Sequence, residues 1–127
     1  MNTRSYVVAI VDDDPRLLES VGNLLESAGY EPVSFTSAAT FLKAGLAGID
    51  ALITDIGMPG LDGFQLRDLV SRERPDMPVF LITGRHEFAE QGRAHGISGF
   101  FRKPFDGKAL LAAVGSALNQ QESGENR

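Results

Sequence analysis

At 127 residues with 43% hydrophobic content, the chain fits one compact domain with a sizeable core. It has no cysteine, which excludes disulfides and thiolate metal sites. A net charge of -5 argues against bulk attraction to nucleic acid, so direct nucleic acid binding by this domain is not expected.

The opening residues Met1–Ser5 lead into an apolar run too short for a signal sequence, and no run approaches the ~20 residues that span a bilayer. A cytoplasmic address without membrane association is expected. Tyr6–Val11 reads as a buried strand that ends in three consecutive acids, Asp12, Asp13 and Asp14. Pro15 suits a first helical turn with Asp14 as its cap, and Leu17, Leu18, Val21, Leu24, Leu25 and Ala28 recur with helical spacing up to Gly29. Pro32–Phe35 is a short strand. A helix capped by Thr36 or Ser37 follows, with Ala39, Phe41 and Leu42 as its apolar positions and Gly45 and Gly48 as its stop.

The third strand covers residues 50 to 54, and Asp55 stands at its end. Gly57–Gly63 is a loop by composition, and Phe64, Leu66, Leu69 and Val70 mark a helix that stops before Pro75. Met77–Thr83 is the fourth strand. Residues 86 to 95 are a weaker helix with Phe88 and Ala89 on its apolar side, Ser98–Phe101 is the fifth strand, and Leu110, Leu111, Val114, Ala117 and Leu118 mark the last helix. The domain is expected over residues 1 to 120, with 121 to 127 as a polar tail or the start of a linker and a frayed end from Asn119 onward.

Strands made of apolar runs and separated by helices predict an α/β fold: a five-stranded parallel sheet covered on both faces. Ligands of such sheets gather beyond the carboxyl ends of the strands, where Asp12, Asp13, Asp14, Asp55, Thr83 and Lys103 all fall. Crowded carboxylates raise one another's pKa and require a cation, and an all-oxygen cluster suits Mg²⁺. Adding a hydroxyl and an ammonium gives a set able to bind a phosphoryl group. Taken singly, these residues have plainer readings. Asp12–Asp14 make a solvated strand-to-helix turn, Asp55 is a loop-start acid, Thr83 is a strand-end hydroxyl and Lys103 is a solvated charge before a proline. Phe100 and Phe101 are core residues, one facing each side of the sheet. His86 and His95 lack metal-ligand spacing and are assigned to the surface or to helix ends.

Four pieces in order carry a resemblance: VDDDP (11 to 15), LITDIGMPGLDG (52 to 63), LITG (81 to 84) and FFRKPF (100 to 105). Through them the chain resembles the receiver domains of two-component response regulators, the CheY-like superfamily. The resemblance implies a flavodoxin-like (βα)5 fold with strand order 2-1-3-4-5. It further implies that Asp55 is the phosphoacceptor for a phosphohistidine of a sensor histidine kinase or histidine phosphotransfer protein. Asp13 would bind Mg²⁺ directly and Asp12 through water, with Asp55 and the backbone carbonyl of Gly57 completing the protein share. Lys103 would pair with Asp55 and then with the phosphoryl oxygens, and a cis Lys103–Pro104 bond would aim it at the site.

Thr83 and Phe100 would form a switch acting on the face built from the fourth predicted helix, the fifth strand and the last helix, a face that is also expected to support a homodimer on phosphorylation. Gly84 is expected to leave room for the Phe100 ring. Arg85 is expected to weigh more on phosphoryl lifetime than Gly57, and the exposed side of the first helix, with Arg16, Glu19, Ser20 and Asn23, is expected to choose the kinase. The LITG and FFRKPF segments are similar to those of receivers joined to helix-turn-helix output domains. Two alternatives stand beside this reading. One is a phosphatase of the haloacid dehalogenase type with Asp12 as nucleophile, using Asp14, Thr83, Lys103 and Mg²⁺; the other is an interaction module that works without phosphorylation.

Overall fold

Apolar runs alternating with capped helical periods are what a sheet covered on both faces requires. The computed structural model describes residues 5–57, 60, 62–84, 99–103 and 105–125. Its strands are β1 (Val7–Val11), β2 (Glu31–Phe35), β3 (Ala51–Asp55), β4 (Val79–Thr83) and β5 (Gly99–Arg102). Helices α1 (Pro15–Ser27), α2 (Ala38–Ala44) and α3 (Gly63–Glu73) connect them, and a last helix spans Gly107–Glu125. The strands are parallel in the order β2-β1-β3-β4-β5, so the flavodoxin-like arrangement expected for the chain is present. The order reverses between β1 and β3, which opens a crevice at their carboxyl ends.

Strand periodicity divides the core in two. Val8, Ile10, Ile53, Phe80 and Ile82 point to a layer completed by Leu18, Val21 and Leu25 of α1 and by Leu110, Val114 and Leu118 of the last helix. Ala9, Val11, Leu52, Val79 and Leu81 point the other way, onto Ala38 and Phe41 of α2 and Phe64, Leu66 and Val70 of α3. Phe100 joins this second layer and Phe101 the first, as their adjacency on a strand dictates.

Local chemistry fixes the helix starts. The Asp14 side chain caps α1, accepting from the Arg16 N–H at 3.0 Å, with Pro15 opening the helix. Ser37, not Thr36, caps α2 by accepting from the Thr40 N–H at 3.1 Å. That register buries Ala38 and leaves Ala39 exposed, the reverse of the expected face. Asp62 and Gln65 form a reciprocal capping box at α3, each bond 2.9 Å long.

The structure departs from expectation elsewhere as well. Asp55 is the last residue of β3, still held in register with Ile82, instead of the first residue beyond it. Leu17 and Leu24 are only half-buried and Ala28 is exposed, because the buried stripe of α1 narrows to Leu18, Val21, Gly22 and Leu25. The last helix continues to Glu125, over residues where a frayed end or the start of a linker is expected. The predicted helix over 86 to 95, Arg85, His86, His95 and Pro104 with its peptide bond lie outside the described residues.

One glycine decides how closely α3 approaches β3. A Cβ on Gly63 would lie 2.7 Å from the Asp55 carbonyl oxygen and 2.8 Å from Ile56 Cα, both of them backbone atoms held in the sheet. Gly63→Ala is therefore expected to push α3 outward and cost about 1–3 kcal/mol, read as a lower urea midpoint. An unchanged midpoint would mean that α3 tolerates the displacement.

Candidate phosphoryl and metal site

The crevice gathers side chains from the ends of all the central strands. Asp12 follows β1 and is 1% exposed; Asp55 ends β3 at 9%; Thr83 ends β4 at 1%. Lys103 follows β5, where its N–H bonds to the Thr83 carbonyl at 2.7 Å and so extends the ladder one step past the last paired residues. That bond fixes the root of the Lys103 side chain beside the acids.

The ammonium lies between the two buried carboxylates. Lys103 Nζ donates to Asp12 Oδ2 at 3.3 Å and stands 3.7 Å from Asp55 Oδ1. The sequence reading pairs Lys103 with Asp55; here its hydrogen bond goes to Asp12, and Asp55 is the longer contact. The other Asp12 oxygen, Oδ1, accepts from the Asp14 N–H at 2.8 Å. Burial pushes the Asp12 carboxyl above its ordinary value, and the nearby Asp55 charge adds to this, while the Asp14 N–H and the Lys103 ammonium pull against it. The site therefore holds more negative charge than its own cation balances.

Asp12, Asp13 and Asp55 can each present one carboxylate oxygen such that all three lie within 4.8 Å of one another. An all-oxygen set of this reach, with Asp13 exposed and Asp12 buried, fits a hard divalent cation that keeps several waters. Gly57, the expected source of a backbone carbonyl ligand, is exposed two residues beyond Asp55. Asp14 is committed to capping α1.

Two further features lie outside what the sequence suggests. Gly84 faces the Lys103 stem, with a Cβ there 4.0 Å from Lys103 Cβ and Cδ, so the space it leaves belongs to that lysine before any ring. An open cleft of about 390 Å³ runs from Lys103 along α1, lined by Leu17, Ser20, Val21, Leu24, Phe105 and Gly107. Leu17 and Leu24, assigned to the core from helical spacing, form part of its wall. The pattern carries a hint of this: α1 has two leucine pairs, Leu17-Leu18 and Leu24-Leu25, and successive helical residues are turned about 100° apart, so one leucine of each pair lies nearer the edge of the buried stripe. Arg16, Glu19, Ser20 and Asn23 of the same helix are exposed, and Ser20 is part of the cleft wall.

Comparison with known proteins agrees with this geometry. The model of the response regulator receiver domain matches residues 8–115. The transcriptional regulatory protein FixJ of Azorhizobium caulinodans is 37% identical over 120 residues, covering 91% of this chain and 56% of that protein. The chain thus spans little more than half the length of that relative. A response regulator receiver domain protein from Clostridium thermocellum superposes with a TM-score of 0.83 at 26% identity, covering 92% of this chain and 97% of that one. The BeF3-activated receiver domain of DrrB gives 0.83 at 27% identity, covering 91% and 99%. Among the described residues, no helix is long and apolar enough to cross a membrane.

Proposed function

The chain belongs to the response regulator receiver domain family, and from that premise we propose that it accepts a phosphoryl group on Asp55 from the phosphohistidine of a sensor histidine kinase or histidine phosphotransfer protein. The observation that carries this reading is the Lys103 ammonium set between the Asp12 and Asp55 carboxylates at the sheet's switch point. An Asp55 carboxylate oxygen attacks phosphorus, the P–N bond breaks with its electron pair returning to the imidazole, and an acyl phosphate forms. Lys103 follows the transferred oxygens as a flexible point charge, and the Thr83 hydroxyl donates to one of them. Asp12, Asp13, Asp55 and the Gly57 carbonyl would hold Mg²⁺, which when bound neutralises phosphoryl charge during transfer.

The α1 cleft is the docking surface for the phosphodonor in this reading, since its apolar wall leads directly to Lys103 and the same helix exposes Arg16, Glu19, Ser20 and Asn23. Output passes through Thr83 and Phe100 to the face of β5 and the last helix, and from there to a partner, an attached output domain or a second copy of the chain. Family membership sets aside the dehalogenase-type phosphatase with Asp12 as nucleophile. Both Asp12 oxygens are also engaged, one with Asp14 and one with Lys103.

Incubation with acetyl phosphate, with and without Mg²⁺, followed by intact mass tests the proposal. One added phosphoryl group is expected on the wild type, dependent on Mg²⁺ and absent from Asp55→Asn. No adduct with donor and metal in excess would sink it in favour of an interaction module that works without phosphorylation.

A further inference from the structure

A hydroxyl is buried where the core has no need of one. Thr54 is completely inaccessible in the middle strand of the sheet, in register with Val11 on one side and Leu81 on the other, and Leu81 is in turn in register with Phe100. Leu52 and Ile56, two residues away on either side, belong to an apolar layer. Valine would fill the same space without the cost of burying a polar group. The hydroxyl has a definite partner: Thr54 Oγ1 donates to the Asp55 carbonyl oxygen at 3.1 Å.

That carbonyl belongs to the peptide from which the chain leaves the sheet. On its other side the Ile56 N–H bonds to the Ile82 carbonyl at 3.0 Å, and the Ile56 carbonyl accepts from the Gly63 N–H at 3.1 Å. Three hydrogen bonds thus clamp the two peptides between the acceptor carboxylate and Gly57. Gly57 has no side chain to restrict its own backbone, so the direction in which the chain enters it is set upstream. Only the Thr54 bond in this clamp comes from a side chain.

We propose that Thr54 is a positioning residue for phosphoryl transfer, its hydroxyl locking the Asp55–Ile56 peptide so that the Asp55 carboxylate and the Gly57 carbonyl face one ligand set. The inference rests on the reading of Asp55 as acceptor. It assigns the hydroxyl, and not the bulk of the side chain, to the site.

Thr54→Val, Thr54→Ala and Thr54→Ser separate these contributions. For Thr54→Val the maximal rate of phosphorylation by acetyl phosphate is expected to fall about fivefold to tenfold, with the half-saturating donor concentration unchanged and weaker Mg²⁺ binding. Amide exchange at Ile56 and Gly57 in metal-free protein should accelerate, while the melting midpoint moves by less than about 3 °C. Thr54→Ala should slow transfer in the same way whether or not the valine variant folds, and Thr54→Ser should restore rate and exchange to within about twofold of wild type, as the hydroxyl is retained. Wild-type rate and exchange in both hydroxyl-free variants, or a serine variant as slow as they are, would overturn the proposal. If the wild type formed no adduct, the acceptor reading and the transfer role would fall together, and the exchange data would still decide whether the hydroxyl clamps the peptide.

Discussion

Lys103→Met is expected to slow phosphorylation of Asp55 by acetyl phosphate by about 10²- to 10³-fold at saturating Mg²⁺, with the fold intact. The lysine side chain is 30% exposed and its neighbours are carboxylates, so its apolar replacement opens no core cavity. What it removes is the only cation among the described residues that stands within 4 Å of both Asp12 and Asp55. The transferring phosphoryl group brings further negative charge into a pocket where Asp12 is already pushed toward its protonated form. A positioned ammonium acts on that charge without reorganising, and in a buried setting such a donor is worth far more than in water. Lys103→Arg is expected to recover only part of the rate, because a planar fork on a stem rooted by the Lys103 N–H to Thr83 O bond cannot sit between two carboxylates as a compact point charge does. Initial rates by intact mass decide the matter. A loss below about threefold for the methionine variant would place the charge neutralisation on the metal cluster alone.

Much of this architecture is written in period and punctuation. The apolar runs that end at Asp12, Asp55 and Thr83 mark strands buried on both faces, and the placement of the acids at their carboxyl ends needs no knowledge of the three-dimensional structure. Strand order is different in kind. Nothing in the local pattern tells β2 to sit outside β1 while β3 sits on its other flank; that came from resemblance and is matched by the observed sheet. Pairings across the site were least legible. The preference of Lys103 for Asp12 over Asp55 is a difference of 3.3 against 3.7 Å at the end of a flexible side chain, which no spacing rule encodes.

Some features lie in the local sequence itself. Asp62 followed three residues later by Gln65 is a capping-box pattern, and it marks where the loop over Gly57–Gly63 ends. Ala38 and Ala39 have equal apolar character, and only the cap chosen by Ser37 decides which faces the core. Thr54 sits at the end of an apolar run, and threonine suits a strand well enough that its residue type alone points to packing. Its hydrogen bond to the next residue's carbonyl became visible only with the Asp55 peptide in place.

Asp12→Asn is expected to make the metal-free protein more stable near neutral pH and, at the same time, to lose most of the stabilisation that Mg²⁺ confers. The sign follows from the direction of the Asp12 shift. Its folded-state pKa lies above the ordinary value of an aspartate, chiefly through burial and then through Asp55, despite the opposing Asp14 N–H and Lys103. A raised acid binds its proton more tightly in the folded chain, so its contribution to stability is fully present below the unfolded value and is lost as pH rises through the folded one. In chelator, the melting midpoint of the variant should therefore match the wild type near the ordinary carboxylate pKa and exceed it at about pH 7, the gap opening as pH rises. Asparagine keeps an oxygen for the Asp14 N–H but gives up the Lys103 pairing, which caps the gain. Adding Mg²⁺ should reverse the order, because a ligand at free concentration L that binds only the folded state stabilises it by RT ln(1 + L/Kd), and the variant offers one carboxylate fewer to the cluster of Asp12, Asp13 and Asp55. A difference between the two proteins that did not change with pH in chelator would remove the buried Asp12 charge as its cause. A Mg²⁺ response equal in both would remove Asp12 from the metal site.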